Sequence, residues 1–331
     1  MTESFPYPLL SRNQLITEIN RLASEGQSFV FIIDFKAENG YLILDKDIDN
    51  QHLKSSFTKN TDFKNRQLLK TLNWKTYPIS TSDYQLKFDY VRDQIQQGNS
   101  FLVNLTQPTT IETNYSLEEI YEKSEAKYKL WLRDKFVVIS PETFVKIRDG
   151  KIASFPMKGT IDATIPNAEK LILANAKEQA EHATIVDLIR NDLSIVAHNV
   201  EVKRYRYIDR LTTNKGELLQ VSSEITGELP ADYTQNLGTI LFSLLPAGSI
   251  SGAPKPKTLE IIEATEGYER GFYTGIFGFF DGQNLDSAVM IRFIEKVGNK
   301  LIFKSGGGIT SQSDSASEYN ELIQKVYVPI Y

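Results

Sequence analysis

Apolar runs of strand character follow one another in pairs along this chain, joined by turn residues, instead of alternating singly with helices. Residues 28–35 and 41–44 read as two strands around Asn39-Gly40, a hairpin signal. Residues 136–164 read as two or three strands with a turn at Asp149-Gly150, residues 200–228 as more strands, and 273–305 as three. Helical stretches lie between these groups. Leu15, Ile16, Ile19 and Leu22 make an apolar stripe over 11–26, and Tyr84, Phe88, Val91 and Ile95 make another over 82–98, with Ser82 as its cap. Ser116-Leu-Glu-Glu119 is a capping box. Residues 166–195 read as a helix in two pieces broken near Asn175, followed by helices over 235–244, from Pro256 to Gly267, and over 315–326.

Regular β-α-β alternation and internal repeats are both missing. The pattern therefore predicts an α+β fold, with large, mostly antiparallel β-sheets packed together and helices on the outside. No Pro/Ser-rich linker divides the 331 residues. Residues 1–80 read as a short N-terminal segment of the same compact unit, and 81–331 as its main domain. Residues 46–80 are polar and weakly patterned, as in a long loop or a lid.

Composition narrows the functions open to such a fold. A net charge of -5 without a basic block argues against nucleic-acid binding. The absence of cysteine excludes disulfides, thiolate metal sites and a cysteine nucleophile. His52, His182 and His198 have no ligand-like spacing, which argues against zinc. No apolar run has the length of a membrane span, and the N-terminus lacks a signal-peptide pattern, so the expected location is the cytoplasm.

Two acidic pairs share one spacing: Glu178/Glu181 and Glu318/Glu321. Each is Glu-x-x-Glu near a helix start, and residues three apart share a helical face. Two such faces turned together would make an oxygen-rich site for a hard dication such as Mg2+. Capping explains two of the four without a metal. Ser315 with Glu318, and Asn175 with Glu178, each have capping-box form. Glu181 and Glu321 sit one turn further in, where no cap needs them; a solvated face accounts for either one alone.

Lys158 lies in Pro156-Met-Lys-Gly-Thr160. It reads as a strand-end surface lysine, or as an amine that loses its proton in a desolvated pocket and acts as nucleophile or base. Gly159 permits close backbone approach, and Thr160 offers a hydroxyl and an amide to a carboxylate. Glu142, sixteen residues upstream, is a candidate proton donor if burial raises its pKa. Gly306, Gly307 and Gly308 offer amides to an anion, or make a bulge and turn. Arg292, on a predicted strand, suits a bidentate carboxylate contact, and Tyr273 can donate a hydrogen bond. The segment Gly248–Lys255 lacks the ending and spacing of a phosphate loop.

In order, Pro-Met-Lys-Gly-Thr, residues 181–193, residues 245–255, Arg270-Gly-Phe-Tyr-Thr-Gly-Ile-Phe-Gly278, Ile291-Arg292 and Gly306-Gly-Gly-Ile followed by Glu318-Tyr-Asn-Glu321 resemble the chorismate-utilising enzymes. That family includes anthranilate, aminodeoxychorismate, isochorismate and salicylate synthases. The likeness spans about residues 84–328 and makes 81–331 the chorismate-binding catalytic domain. Lysine in Pro-x-Lys-Gly-Thr is the mark of the members that make 4-amino-4-deoxychorismate; anthranilate synthases usually have a small residue there.

The resemblance implies that Lys158 attacks C2 of chorismate while Glu142 protonates the departing C4 hydroxyl, after which ammonia adds at C4 and expels the lysine. It implies Mg2+ on Glu181 and Glu321, supported by Glu178 and Glu318, and carboxylate contacts from Tyr273, Arg292, Gly307 and Thr160. It also implies a glutamine amidotransferase subunit as the source of ammonia, and a place in para-aminobenzoate and folate biosynthesis. Three features depart from the family: Leu102 where glutamine is usual, Gln220 where histidine is frequent, and a short N-terminal region without the usual Gly-rich signature. Anthranilate synthase and a chorismate-binding protein with altered catalysis are the competing expectations.

Overall fold

Every residue of β2 (Phe29–Ile33) is buried, and its two faces meet different partners. Val30 and Ile32 pack between two sheets, while Phe29, Phe31 and Ile33 pack against helices. A period-2 strand covered on both sides reads as one continuous apolar run for this reason. The computed structural model describes residues 5–57, 70–213 and 216–330, and among them are eighteen strands and nine α-helices.

The larger sheet runs β1 (Leu10–Ser11), β3 (Asn39–Leu44), β2, β15 (Ile276–Phe280), β16 (Leu285–Val289), β9 (Thr143–Arg148), β10 (Lys151–Ser154), β13 (Gly216–Glu228) and β11 (Met157–Asp162). β12 (His198–Thr213) pairs with β13 beside this path. The smaller sheet runs β14 (Gly252–Ala253), β6 (Leu102–Thr113), β18 (Lys300–Ile309), β17 (Phe293–Val297), β8 (Phe136–Ser140), β7 (Tyr128–Leu132) and β4 (Leu53–Ser56), with β5 (Trp74–Tyr77) on β6. Neighbouring strands are antiparallel; Ile276 faces Ile33 and Gly307 faces Leu105, for example.

Between the sheets, Ile32, Phe277 and Ala288 meet Leu130, Leu132, Val138 and Phe293. Each fully buried side chain of this kind contributes roughly 1.5–3 kcal/mol. On the outer face of the larger sheet lie α1 (Arg12–Ser24) and α6 (Leu237–Ser243), through Leu15, Ile19 and Leu241. On the outer face of the smaller sheet, Trp131, Val137 and Phe303 pack with α3 (Leu117–Lys123). The antiparallel α+β architecture expected from the strand pairing is the one observed. No helix among the described residues is long and apolar enough to cross a membrane.

Several local expectations change. The β2–β3 hairpin turns at residues 34–38, where Asp34 accepts the Glu38 and Asn39 amides at 2.8 and 3.2 Å. Asn39-Gly40 already belongs to β3. Gly40 serves close approach instead of turning, since a Cβ there would stand 2.2 Å from Ile32 O. Ser80, not Ser82, caps α2 (Thr81–Gln96), and α8 (Lys255–Glu266) starts one residue before Pro256. Residues 136–162 hold four strands, and 276–309 another four. Of the segment read as loop or lid, 53–56 and 74–77 are edge strands, whereas 58–69 lie outside the described residues.

Candidate active site

Both acidic pairs stand at helix starts, but neither forms the capping box their spacing suggests. α4 (Ala168–Ala174) and α5 (Ala176–Ser194) meet at Asn175, whose side chain accepts the Glu178 amide at 3.1 Å. The Glu178 carboxylate does not return to the cap; its Oε2 is buried without a hydrogen-bond partner. α9 (Ser315–Gln324) is capped by Asp314, which makes Ser315 the first helical residue. Glu318 is buried and accepts from Ser313 Oγ at 2.7 Å. Neither Glu178 nor Glu318 therefore has the capping duty that would explain it without chemistry.

A cavity of about 470 Å3 opens between one end of the smaller sheet, β9 to β11, and α5. Lys158 projects into it from β11, with Nζ 2.7 Å from Glu181 Oε2. Burial favours the neutral amine, but Glu181, joined by Glu178 and Glu321, outweighs it and raises the lysine's pKa. Desolvation alone does not free this amine of its proton: the pocket is buried but acidic.

Glu142 lies in the connection between β8 and β9, on the same cavity, and hydrogen-bonds Ser249 Oγ. Burial raises its pKa, partly offset by Ser249 and Lys325, so it holds its proton to higher pH than an ordinary glutamate. Tyr273 is buried on the cavity wall, and burial keeps its phenol protonated. Arg292 also lines the cavity, but from the junction between β16 and β17, with φ 52° instead of a strand conformation. Its guanidinium donates to Lys325 O at 2.8 Å and lies over the Tyr327 ring.

The three glycines lie inside β18 opposite β6, not in a loop after a strand. Pairing with β17 ends at Lys304, which leaves that edge open beyond it. Lys325 donates to Gly306 O there at 2.9 Å, so Gly306 presents its backbone to the cavity side. Gly307 has no side chain where Glu318 Oε2 and Glu321 Oε1 approach: a Cβ would stand 3.4 and 3.7 Å from them.

Thr160 does not reach this cavity. Gly159, at φ +81°, accompanies a register shift between Met157 and Thr160 that sends Thr160 outward. Gly159 and Thr160 instead line a smaller adjoining pocket with Asn175 and Glu178. Leu102 is buried in the main cavity's wall; Gln220, opposite Thr160 on β13, is not part of that wall.

The donors suit a hard dication: all are carboxylate oxygens, Glu178 Oε2 lacks a partner, and two more oxygens flank a bare glycine. Ammonium groups already sit on Glu181 and Glu321, at 2.7 and 2.6 Å, where positive charge is demanded. Among the described residues no three acidic or imidazole groups converge at binding distance as they stand. An ion would therefore compete with Lys158 and Lys325 for these oxygens.

Three cavity residues escaped the sequence reading. Lys325 had a signal, being four residues after Glu321 on one helix. Ser249 and Asp192 had none beyond lying in matching segments. Asp192 pairs with Lys255 at 2.8 Å, which joins two of those segments across the cavity wall.

Known proteins resemble this chain over most of its length. The chain is 50% identical over 323 residues to an uncharacterized PabA-like protein of Pasteurella multocida, covering 97% of this chain and all of that one. It is 33% identical to anthranilate synthase component 1 of Acetivibrio thermocellus and 31% to aminodeoxychorismate synthase component 1 of Klebsiella aerogenes. Those matches cover 76% and 75% of this chain but 52% and 57% of the relatives. Among solved structures, anthranilate synthase component I from Streptococcus pneumoniae superposes with a TM-score of 0.73 at 19% identity, over 98% of this chain and 93% of that one. The chorismate binding enzyme pattern matches residues 23–330, and the chain belongs to that family.

Proposed function

We propose that the chain is component I of an aminodeoxychorismate synthase, converting chorismate and ammonia to 4-amino-4-deoxychorismate in para-aminobenzoate and folate biosynthesis. One observation carries the reading: a lysine amine set among Glu181, Glu178 and Glu321, in the cavity that also holds the buried acid Glu142. A family member that adds ammonia directly has no need of an amine there; a covalent route does.

In this reading Lys158 Nζ, once neutral, attacks ring C2. The two ring double bonds each shift by one position, the C4–O bond breaks, and Glu142 delivers the proton that lets the hydroxyl leave as water. Ammonia then bonds to C4, the double bonds shift back, and the C2–N bond to Lys158 breaks. The proton that Lys158 must lose before attack passes to solvent, since Glu181, 2.7 Å away, is the carboxylate that would hold Mg2+. Tyr273 and Arg292 would hold substrate carboxylates, with the open edge of β18 at Gly306–Gly308 as the floor. Mg2+ held by Glu181 and Glu321, with Glu178 and Glu318 beside them, would supply positive charge for the ring carboxylate. Ammonia would come from a glutamine amidotransferase subunit, replaceable by ammonium at high pH.

The test is incubation with chorismate, Mg2+ and ammonium, followed by mass analysis. 4-Amino-4-deoxychorismate as the released product supports the reading. Anthranilate overturns it in favour of that synthase. Chorismate binding without turnover overturns it in favour of a binding protein.

A further inference from the structure

Arg270 is the most completely satisfied charged side chain near the cavity, and it contributes no atom to the proposed chemistry. Its side chain is 1% exposed and its partner Glu266 2%. All five guanidinium N–H groups are used. Nε and Nη2 donate to the Glu266 carboxylate at 2.8 and 2.6 Å. Nη1 donates to Ile250 O at 2.9 Å and to Thr274 Oγ1 at 3.3 Å, and Nη2 donates to Asn104 O at 2.7 Å. The Phe35 ring closes one face of the group at 4.4 Å.

A buried ion pair is a poor device for stability alone, because desolvation of two charges offsets their attraction. The geometry here achieves something else. Besides Thr274 in its own turn, the acceptors belong to two other segments: β6 at Asn104 and the short helix α7 (Gly248–Ser251) at Ile250. Ile250 O receives a second donor, Asn104 Nδ2, at 3.1 Å. The residue before Ile250 is Ser249, whose hydroxyl bonds the Glu142 carboxyl.

We propose that Arg270 is a positioning residue: by clamping the Ile250 carbonyl to β6, it fixes Ser249 against Glu142 and so orients the proton donor. The inference rests on the reading of Glu142 as that donor. The planar fork is essential, since one lysine ammonium cannot reach the same acceptors in the same directions. Misplacing a proton donor by a fraction of an ångström slows the step it serves without loosening the substrate.

The experiment compares Arg270→Lys, Ser249→Ala, the double variant and Glu142→Gln in the full chain, with chorismate, Mg2+ and ammonium. Arg270→Lys and Ser249→Ala are expected to lower kcat by about tenfold or more with KM within about twofold. The double variant should be no more than about twofold below the worse single one, since both act through one contact. Infrared difference spectra against Glu142→Gln isolate the buried acid's carbonyl band, and that band should shift in both single variants. A merely structural arginine would leave it in place. If Arg270→Lys does not fold, Ser249→Ala decides, because the clamp acts on Glu142 only through the Ser249 hydroxyl. A folded Arg270→Lys or Ser249→Ala with unchanged kcat and an unshifted band overturns the inference while leaving the acid assignment intact. Full activity in Glu142→Gln overturns the acid assignment itself, and this inference with it.

Discussion

Lys158 Nζ and Glu181 Oε2 stand 2.7 Å apart, and this contact sets the ionisation of the proposed nucleophile. Burial pulls the amine toward neutrality, but Glu181, Glu178 and Glu321 together raise its pKa above that of an ordinary lysine. A group with a raised pKa keeps its proton at neutral pH, so only a small fraction of the resting amine is competent to attack. In chelator, acylation of Lys158 by an amine-directed reagent should therefore rise about tenfold per pH unit from neutrality toward the lysine's pKa. A flat profile between pH 7 and 9 would mean that the amine is not the titrating group.

Replacing the amine separates chemistry from binding. Lys158→Ala should lower product formation by about a thousandfold or more, as expected when a nucleophile is removed. The same change relieves Glu181 of its ammonium partner, so Mg2+ should bind the variant at least as tightly as the parent, by calorimetry at pH 7. Quenching the parent during turnover should reveal protein carrying the mass of a dehydrated chorismate adduct, and Lys158→Ala should lack it. Normal turnover by the variant would rule out covalent catalysis by this lysine.

Glu142 ties activity to stability with a definite sign. Its folded-state pKa lies above the usual 4.5, chiefly through burial. The folded protein therefore binds this proton more tightly than the unfolded chain, and stability falls as pH rises from 4.5 through the folded-state pKa. Glutamine mimics the protonated form and does not ionise. Glu142→Gln should consequently raise the melting temperature at pH 8 while leaving it nearly unchanged at pH 4, and abolish most turnover at both. A variant less stable than the parent at pH 8 would mean the carboxylate is well solvated where it stands.

The division between what was readable in the sequence and what was not follows interaction range. Pairing of strands in the antiparallel sheets was legible because period-2 burial and turn residues are local: Asp149-Gly150 turns as expected, both residues with positive φ. The break at Asn175 was legible for the same reason. The wrong caps, Ser82 and Ser315, each had a competing polar residue within two positions, and tertiary packing chose between them. The acidic pairs were visible by helical spacing, whereas the bond between Glu142 and Ser249 joins residues 107 apart and has no local signature. Thr160 was misplaced because a bulge at Gly159 inverts the facing that strand alternation assigns. The lysine's surroundings were not legible, because the three carboxylates near it come from α5 and α9 and reach it only through the fold.

Glu178 distinguishes a capping role from a ligand role. Its amide is already satisfied by Asn175, and its Oε2 has no hydrogen-bond partner. Glu178→Gln removes charge from the cluster without disturbing the cap, so the melting temperature in chelator should shift by no more than about 2 °C. Mg2+ affinity should fall about 10-fold or more, the range found for groups that support a metal's ligands. Loss of stability with unchanged Mg2+ affinity would return this residue to a structural role.

Adjacent glycines of β18 should fail in different ways when a methyl group is added. At Gly306 a Cβ would stand 2.5 Å from Leu105 O and 2.8 Å from Thr106 Cα, both backbone atoms of the paired strand. The ladder between β6 and β18 would have to spread, and overpacking of this kind costs about 1–3 kcal/mol. At Gly307 the nearest atoms are carboxylate and ammonium ends, Glu318 Oε2 at 3.4 Å, Glu321 Oε1 at 3.7 Å and Lys325 Nζ at 3.9 Å. Side-chain ends can yield, so the fold tolerates the methyl, but it intrudes among the oxygens proposed to hold Mg2+. Gly306→Ala should therefore melt several degrees lower than the parent, while Gly307→Ala should melt within about 2 °C of it and lose about tenfold in Mg2+ affinity. Thermal melts in chelator and calorimetric Mg2+ titrations of the two variants give the comparison directly. Equal Mg2+ affinity in Gly307→Ala and the parent would show that the space between Glu318 and Glu321 is not where the ion binds.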